Sequence, residues 1–508
     1  MRLIFFILKD VKPFESTIYT LRGGKHMKHA DSKVLDERQD FIIYNKKNTQ
    51  KKKSTFQCDQ NSTSGAVSQR ACVYCGARVV LNPITDAVHI VHGPIGCASY
   101  TWDIRGSLSS DKEFYRNSYS TDLRERDIIF GGEKKLTKAI DEIMETQKDA
   151  KVIFVYATCV VGVIGDDLGA VARQAEGKYG IRVIPVQSSG FAGNKSSGYK
   201  AGCDAILDLM TGKAVSENVV VKNDDSEKDP LAFNFLGDFN LAGETWLLKR
   251  YFKEMGVKLI TAITGDSTCE SLQNAPNASF NIIQCAGSMN YLATHMKEKY
   301  GIPYAKTSFY GLNDIMDSLR TVAALTKSDV VVARTEKLIE REMAQTKFAL
   351  NPYRQRIKGK TVAIYVGGGF KAISLIKQFN DLGLKSVMVG TQTGQKEEYD
   401  TIQTISDEDT VILDDANPSE LEKFIREKGA DLLVGGVKER PLAYKLGVAF
   451  IDHNHERKHP LCGFEGAVNF AKEVDVTLNS PVWTYINAAL AEAFDVDLEP
   501  TVSLAEEA

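Results

Sequence analysis

The sequence predicts an α/β protein built on parallel sheets, and three observations predict it. Short β-branched runs at residues 152–156 and 181–186 flank a helical stretch at 166–178, opened by Asp166 and Asp167. Acidic residues suit a helix N-terminus, and strand, helix, strand at this spacing makes a parallel βαβ unit. The layout recurs twice, with strand-like runs at 257–263 and Phe280–Ile283, then at Thr361–Val366, 430–434 and 448–451. Chemistry-bearing residues stand just past these runs: Cys159, a Gly/Ser-rich segment at 187–202 that reads as a loop, Cys285, the Gly367-Gly368-Gly369 turn, Lys438 and His453. In an open parallel sheet, ligands bind outside the carboxyl ends of the strands.

The chain has 508 residues, 43% hydrophobic and 25% charged, an ordinary globular composition at a length that calls for several domains. The expected division is a polar tail over 1–65, α/β domains over 66–220, 221–350 and 351–485, and a C-terminal tail over 486–508. The polar stretch 222–229 separates the first two domains, and the charged, helical stretch 311–350 connects the second to the third. The opening MRLIFFILKD has too short an apolar core for a secretion signal and no small-residue cleavage site. The abrupt change to polar sequence at Met27 makes residues 1–26 an expected over-called extension. The tail, with its basic run at 51–53, is expected to wrap a neighbour or stay mobile. A formal charge of −3 gives no reason to expect nucleic acid or an acidic membrane as partner. Nine cysteines, an odd number, fit metal-bound thiols in a reducing cytoplasm better than a disulfide framework.

Three of those cysteines, Cys72, Cys75 and Cys97, fall within residues 72–106, and Cys159 follows at the end of a strand-like run. Structural zinc favours two close pairs of ligands, whereas only Cys72 and Cys75 are close here. An iron–sulfur cluster tolerates scattered thiolates better. If Cys75 is not a ligand, three thiolates remain and a fourth ligand comes from elsewhere, a second subunit included. His89 and His92 do not face one cleft if their segment is extended, so both read as hydrogen-bonded core histidines. The Gly367 turn lacks a dinucleotide fingerprint and a P-loop lysine; its glycines permit close approach of something bulky. Lys371, Lys438 and Arg105 are candidate charges for an anionic ligand, each weighed against a solvated side chain. Cys285 and His453 are the remaining soft or borderline ligands at strand ends, while Cys58, Cys203, Cys269 and Cys462 read as structural.

The motifs VHGPIGC (91–97), TWDIRGSLSS (101–110), TDLRERDIIFGGEKKL (121–136), IGDDL (164–168), NLAGETW (240–246), KEKYGIP (297–303), SFYG (308–311) and NSPVW (479–483) carry a resemblance over nearly the whole chain. It resembles the α-type subunits, NifD/NifE type, of the nitrogenase component 1 superfamily. WDIRGSLSS stands where the catalytic subunits have an Arg-rich equivalent and points to the cofactor-assembly branch. The resemblance implies three Rossmann-like domains around a central cofactor cleft. It implies Cys72, Cys97 and Cys159 as ligands of a 4Fe–4S-type cluster at a subunit interface, with the remaining ligand from the partner. It leaves Cys75 without a counterpart. It implies Cys285 as the cysteine holding one end of an iron–molybdenum cofactor or its Fe–S precursor, His453 at the position of the catalytic histidine ligand with His455 as its rival, and Lys438 near homocitrate. Arg105, Lys195 and Lys371 match positions lining the cleft. Tyr199 stands where a catalytic subunit has the histidine that delivers protons, and Lys195 lies where it has a cofactor-contacting glutamine; both departures argue against nitrogen reduction.

The implied function is a cytoplasmic scaffold, not an enzyme that turns over a substrate. It would pair with a NifN-like β subunit in an α2β2 assembly and receive precursor from NifB. It would hold the precursor while molybdenum and homocitrate enter with the reductase NifH, and pass the product to apo-nitrogenase. The second expectation is the catalytic subunit of a nitrogenase-like reductase, a nitrogenase α or methylthio-alkane reductase type, which Cys285 with His453 keeps open. A third, a zinc-stabilised α/β binding protein, requires Cys75 as a ligand.

Overall fold

The structure is a computed structural model that describes residues 38–45, 56, 71–102, 117–216, 219, 228–453 and 457–487. Met27, Cys58, Arg105, His455 and the basic run at 51–53 lie outside the described residues. A short strand, β1 (Ile42–Tyr44), comes first. The first sheet holds β2 (Ala87–His92), β3 (Ser118–Ser120), β4 (Val152–Ala157) and β5 (Arg182–Val186) in the order β3-β2-β4-β5, every pair parallel. The second holds β6 (Ala232–Asp238), β7 (Lys258–Thr264), β8 (Phe280–Ile283) and β9 (Tyr304–Lys306) in the order β7-β6-β8-β9, again all parallel. The third holds β10 (Thr361–Val366), β11 (Lys385–Thr391), β12 (Val411–Asp414), β13 (Leu432–Gly435) and β14 (Ala449–Asp452), with the order β1-β12-β11-β10-β13-β14. The predicted α/β class with parallel sheets is therefore the observed one. Every residue of β2, β4 and β6 is buried. Helices cover both faces of such a sheet, which is why these strands read as near-continuous apolar runs.

One apolar core runs from Phe233 and Phe280 under the second sheet to Ile364 and Val434 under the third. Another joins the first and second sheets through Val91, Phe154, Ile263 and Met296. The two helices Leu312–Leu325 and Asp329–Ile357 occupy the stretch expected to be helical.

Two readings need correction. The tail is not wholly free: β1 adds antiparallel to β12, at one edge of the third sheet. Arg38 is buried, 2.8 Å from Glu420 and bonded to the carbonyls of Asp414 and Asp415, and Phe56 packs edge-on against Tyr399. Nor is 187–202 all loop, since a helix starts at Lys195 and runs to Thr211. Asn194 caps it, its side-chain oxygen accepting from the backbone N–H groups of Ser196 and Ser197. The glycines that suggested a loop serve packing instead. A Cβ on Gly198 would lie 2.0 Å from the Val73 carbonyl oxygen, and one on Gly76 would lie 2.2 Å from the Lys195 carbonyl oxygen. The helices Val73–Leu81 and Lys195–Thr211 thus cross backbone against backbone.

Candidate cofactor cleft and thiolate site

Cys72, Cys97 and Cys159 come from three separate elements. Cys72 caps helix Val73–Leu81, Cys97 lies on helix Ile95–Trp102, and Cys159 opens helix Cys159–Ile164 directly after β4. They share one neighbourhood. Burial pushes the Cys97 thiol above its ordinary range, and the nearby Cys159 and Cys72 push it the same way. Gly190 closes the group from below, its N–H donating to Cys159 Sγ at 3.2 Å. A Cβ on Gly190 would come within 2.8 Å of that sulfur and 3.5 Å of Cys72 Cβ, so only glycine lets the backbone approach this closely.

Among the described residues, no group of three or more His, Cys, Asp or Glu side chains is set to hold a single metal ion. A lone tetrahedral zinc needs its thiolates within about 4 Å of one another. A polynuclear iron–sulfur cluster spreads them further. Cys75 is buried in its helix while Cys72 is exposed, which removes the pair that a zinc reading requires. Three soft thiols around one point, one already accepting a backbone N–H, are a donor set that fits an iron–sulfur cluster. Gly190→Ala is expected to lower iron affinity at this point about tenfold, because it crowds the ligand without removing it. The measurement is iron per chain and thiolate-to-iron absorbance after anaerobic reconstitution.

The second site is a cavity of about 480 Å³ between the three sheets. Cys285 lies in its wall at the end of β8, capping helix Ala286–Tyr300. Gly237, at φ 87°, makes that position available: a Cβ there would stand 2.7 Å from the Cys285 nitrogen. Lys195 enters from the first sheet's side and Lys371 from the third. Gly367 and Gly368 also line the cavity, and nothing lies within 4 Å of where their Cβ atoms would be, so the turn leaves room for a bulky ligand. Three helices begin at this wall: Lys195–Thr211, Ala286–Tyr300 and Gly369–Leu382. Their N-terminal N–H groups add positive potential to that of the lysines. Two acids also line the cavity: burial, with the neighbouring Glu244, pushes the Asp238 carboxyl up to about 6, and burial raises Glu398 as well.

Of the predicted cleft residues, the structure brings Cys285, Lys195 and Lys371 together, with Tyr199 beside them. His453 is buried one layer back, its ring 6.2 Å from that of Tyr310, which does line the cavity. Lys371 Nζ donates to the His453 backbone carbonyl at 2.8 Å, and among the described residues neither ring nitrogen of His453 has a hydrogen-bond partner. Lys438 is exposed and does not line the cavity. His89 and His92 are core residues as read: His89 bonds Tyr156, and His92 is held between Thr121 and Asp166. Sequence reasoning missed Arg457, Glu244, Tyr310 and His295. Arg457 is buried 2.9 Å from Glu244 and 3.3 Å from the Tyr310 hydroxyl, tying three distant segments to one wall. The motifs NLAGETW and SFYG contain Glu244 and Tyr310, whereas no motif marks Arg457.

Parallel sheets with a cationic, cysteine-bearing cleft at their strand ends and a separate surface triad of thiols define a class of α/β protein that handles soft, anionic metal-containing ligands. The chain belongs to the nitrogenase component 1 type oxidoreductase family, which it matches over residues 72–479. It is 61% identical over 455 residues to the nitrogenase iron-molybdenum cofactor biosynthesis protein NifE of Clostridium pasteurianum, covering 89% of this chain and 97% of that one. It is 50% identical to the NifE of Methanosarcina barkeri, over 89% of this chain and 96% of that one. Among solved structures it is similar to nitrogenase Cp1 at pH 5, with TM-score 0.78 and 30% identity over 90% of this chain and 97% of that one.

Proposed function

We propose that this chain is a scaffold subunit for assembly of the nitrogenase iron–molybdenum cofactor. Its substrate is an iron–sulfur precursor that it binds, holds during completion and releases. The observation that carries this reading is the soft anchor at the strand end: Cys285 faces the cavity, while His453 is buried and does not line it. One thiolate orients a cluster, and the lysines and helix N-termini balance its negative charge without bonding to metal. Ligation at one point permits transfer. Tyr199 stands in the cavity wall in place of a proton-delivering histidine, which weighs against substrate reduction. The similarity to NifE proteins of other organisms supports the same reading.

The thiol triad is the proposed seat of a 4Fe–4S-type cluster shared with a NifN-like partner, which would supply one-electron transfer when bound. Large apolar side chains are exposed around it: Ile95, Ile129, Phe130, Val163 and Phe191. A patch of this kind marks a protein interface. Completion with molybdenum and homocitrate, aided by NifH after delivery from NifB, belongs to the same proposal.

An anaerobic transfer assay tests it. The chain with its partner is loaded with precursor, molybdate, homocitrate and NifH, then mixed with cofactor-free nitrogenase. Acetylene reduction that depends on this chain is expected. No activation, together with reductase-dependent substrate reduction by the complex itself, would overturn the scaffold reading in favour of a catalytic reductase.

A further inference from the structure

The helix that Cys285 opens carries a second soft donor on the wall of the same cavity, His295. Its Nδ1 lies 3.0 Å from the Tyr291 carbonyl oxygen. A carbonyl only accepts, so Nδ1 is the donating nitrogen, and Nε2 is the one that offers a lone pair to a metal. This is the arrangement in which a protein fixes an imidazole for metal ligation. The ring is further held by Tyr291, 4.2 Å away between centroids, and the Tyr291 hydroxyl is tied to Asp204 at 2.8 Å on the facing helix. Ten residues of α-helix separate the two donors by about 15 Å. Gly287, Asn290, Tyr291 and Thr294 between them all line the cavity, at spacings that keep one helical face, with Lys200 opposite. The cavity wall is therefore continuous from one donor to the other.

We propose that His295 is a staging ligand for the cluster cargo, occupied before Cys285 on entry and after it on release. The inference rests on the scaffold reading. A cluster brings its own sulfide ligands, so one protein donor suffices at each stop. At His295 an iron–nitrogen bond forms on the Nε2 lone pair as the donor's bond to that iron breaks, with no proton released. On transfer to Cys285 the iron–nitrogen bond breaks, an iron–sulfur bond to the Cys285 thiolate forms, and the thiol proton leaves to solvent. No electron is exchanged.

The test measures anaerobic uptake of an iron–sulfur precursor cluster by the complex in stopped-flow absorbance, with final iron per chain. His295→Ala is expected to slow uptake at least about tenfold while leaving the final iron close to wild type. His295→Gln, which keeps a polar side chain of similar size, is expected to be equally slow. With Cys285→Ala and 15N-labelled histidine, the weakly held cluster is expected to show nitrogen hyperfine coupling that His295→Gln removes. Wild-type uptake rates in both His295 variants, or no histidine nitrogen coupling in the Cys285 variant, would overturn the staging role. If the wild-type complex takes up no cluster at all, the scaffold reading itself is what has failed.

Discussion

Gly198→Ala is expected to remove iron from both sites at once and to lower the melting temperature by several degrees. The Cβ it adds would sit 2.0 Å from the Val73 carbonyl oxygen and 2.8 Å from the Ala77 nitrogen. Both are backbone atoms, so no rotamer change relieves the contact, and the helices Val73–Leu81 and Lys195–Thr211 must separate. Overpacking of this kind costs about 3 kcal/mol or more when the neighbour cannot yield. The functional loss follows from what the two helices carry at their ends. Cys72 caps one and pairs with Asn194, which caps the other, and Lys195 is that helix's first residue. Prying them apart moves a thiolate of the surface triad and a wall of the cleft together. Cys97→Ala, in contrast, is expected to empty the triad alone. Iron content and thermal unfolding of both variants check this, and a Gly198→Ala chain with normal iron and an unchanged melting point would refute the backbone-contact account.

That crossing also marks where the sequence stops being legible. The strands at Phe280–Ile283 and Thr361–Val366 were readable because doubly buried parallel strands are apolar along their whole length. The position of Cys159, Cys285 and the Gly367 turn past strand ends was readable for the same reason, since topology puts ligands there. Gly198 and Gly202 were misread because glycine signals a loop locally, and only the facing helix, the Val73 carbonyl for one and the Val80 side chain for the other, reveals them as packing residues. Arg457 was invisible for a related reason. A buried arginine is meaningful only once Glu244 and Tyr310, remote in sequence, are seen around it. His453 sits at the predicted strand end, yet whether its ring reaches the cavity depends on Tyr310, which spacing along the chain does not report. His295 carried no signal because a histidine on a helix acquires meaning from the carbonyl that fixes its tautomer and the cavity it borders.

Cys285→Ala is expected to abolish stable retention of the precursor, lowering affinity by more than about a hundredfold, the upper range for losing a residue that merely supports a ligand. The fold should survive. Cys285 is partly exposed, its side chain makes no capping bond to helix Ala286–Tyr300, and its backbone carries the N-cap conformation, which alanine can adopt. A substitution free of burial and hydrogen bonds costs about 0.5 kcal/mol or less. The lysines, the helix N-termini and His295 would remain, so an anionic cluster should still visit the cleft, held mainly by charge. Such binding weakens with salt, because screening lengths shorten to about 8 Å at physiological ionic strength and further above it. Retained iron in Cys285→Ala should therefore fall steeply on a salt wash, while wild type keeps its cluster. His453→Ala supplies the contrast: among the described residues its ring nitrogens have no hydrogen-bond partner, and it does not line the cavity, so loading should match wild type. Iron analysis before and after a high-salt wash distinguishes these outcomes. If His453→Ala loses the cluster and Cys285→Ala keeps it, the anchor has been assigned to the wrong side of the cleft, and the catalytic arrangement, with the imidazole at the metal, becomes the better description.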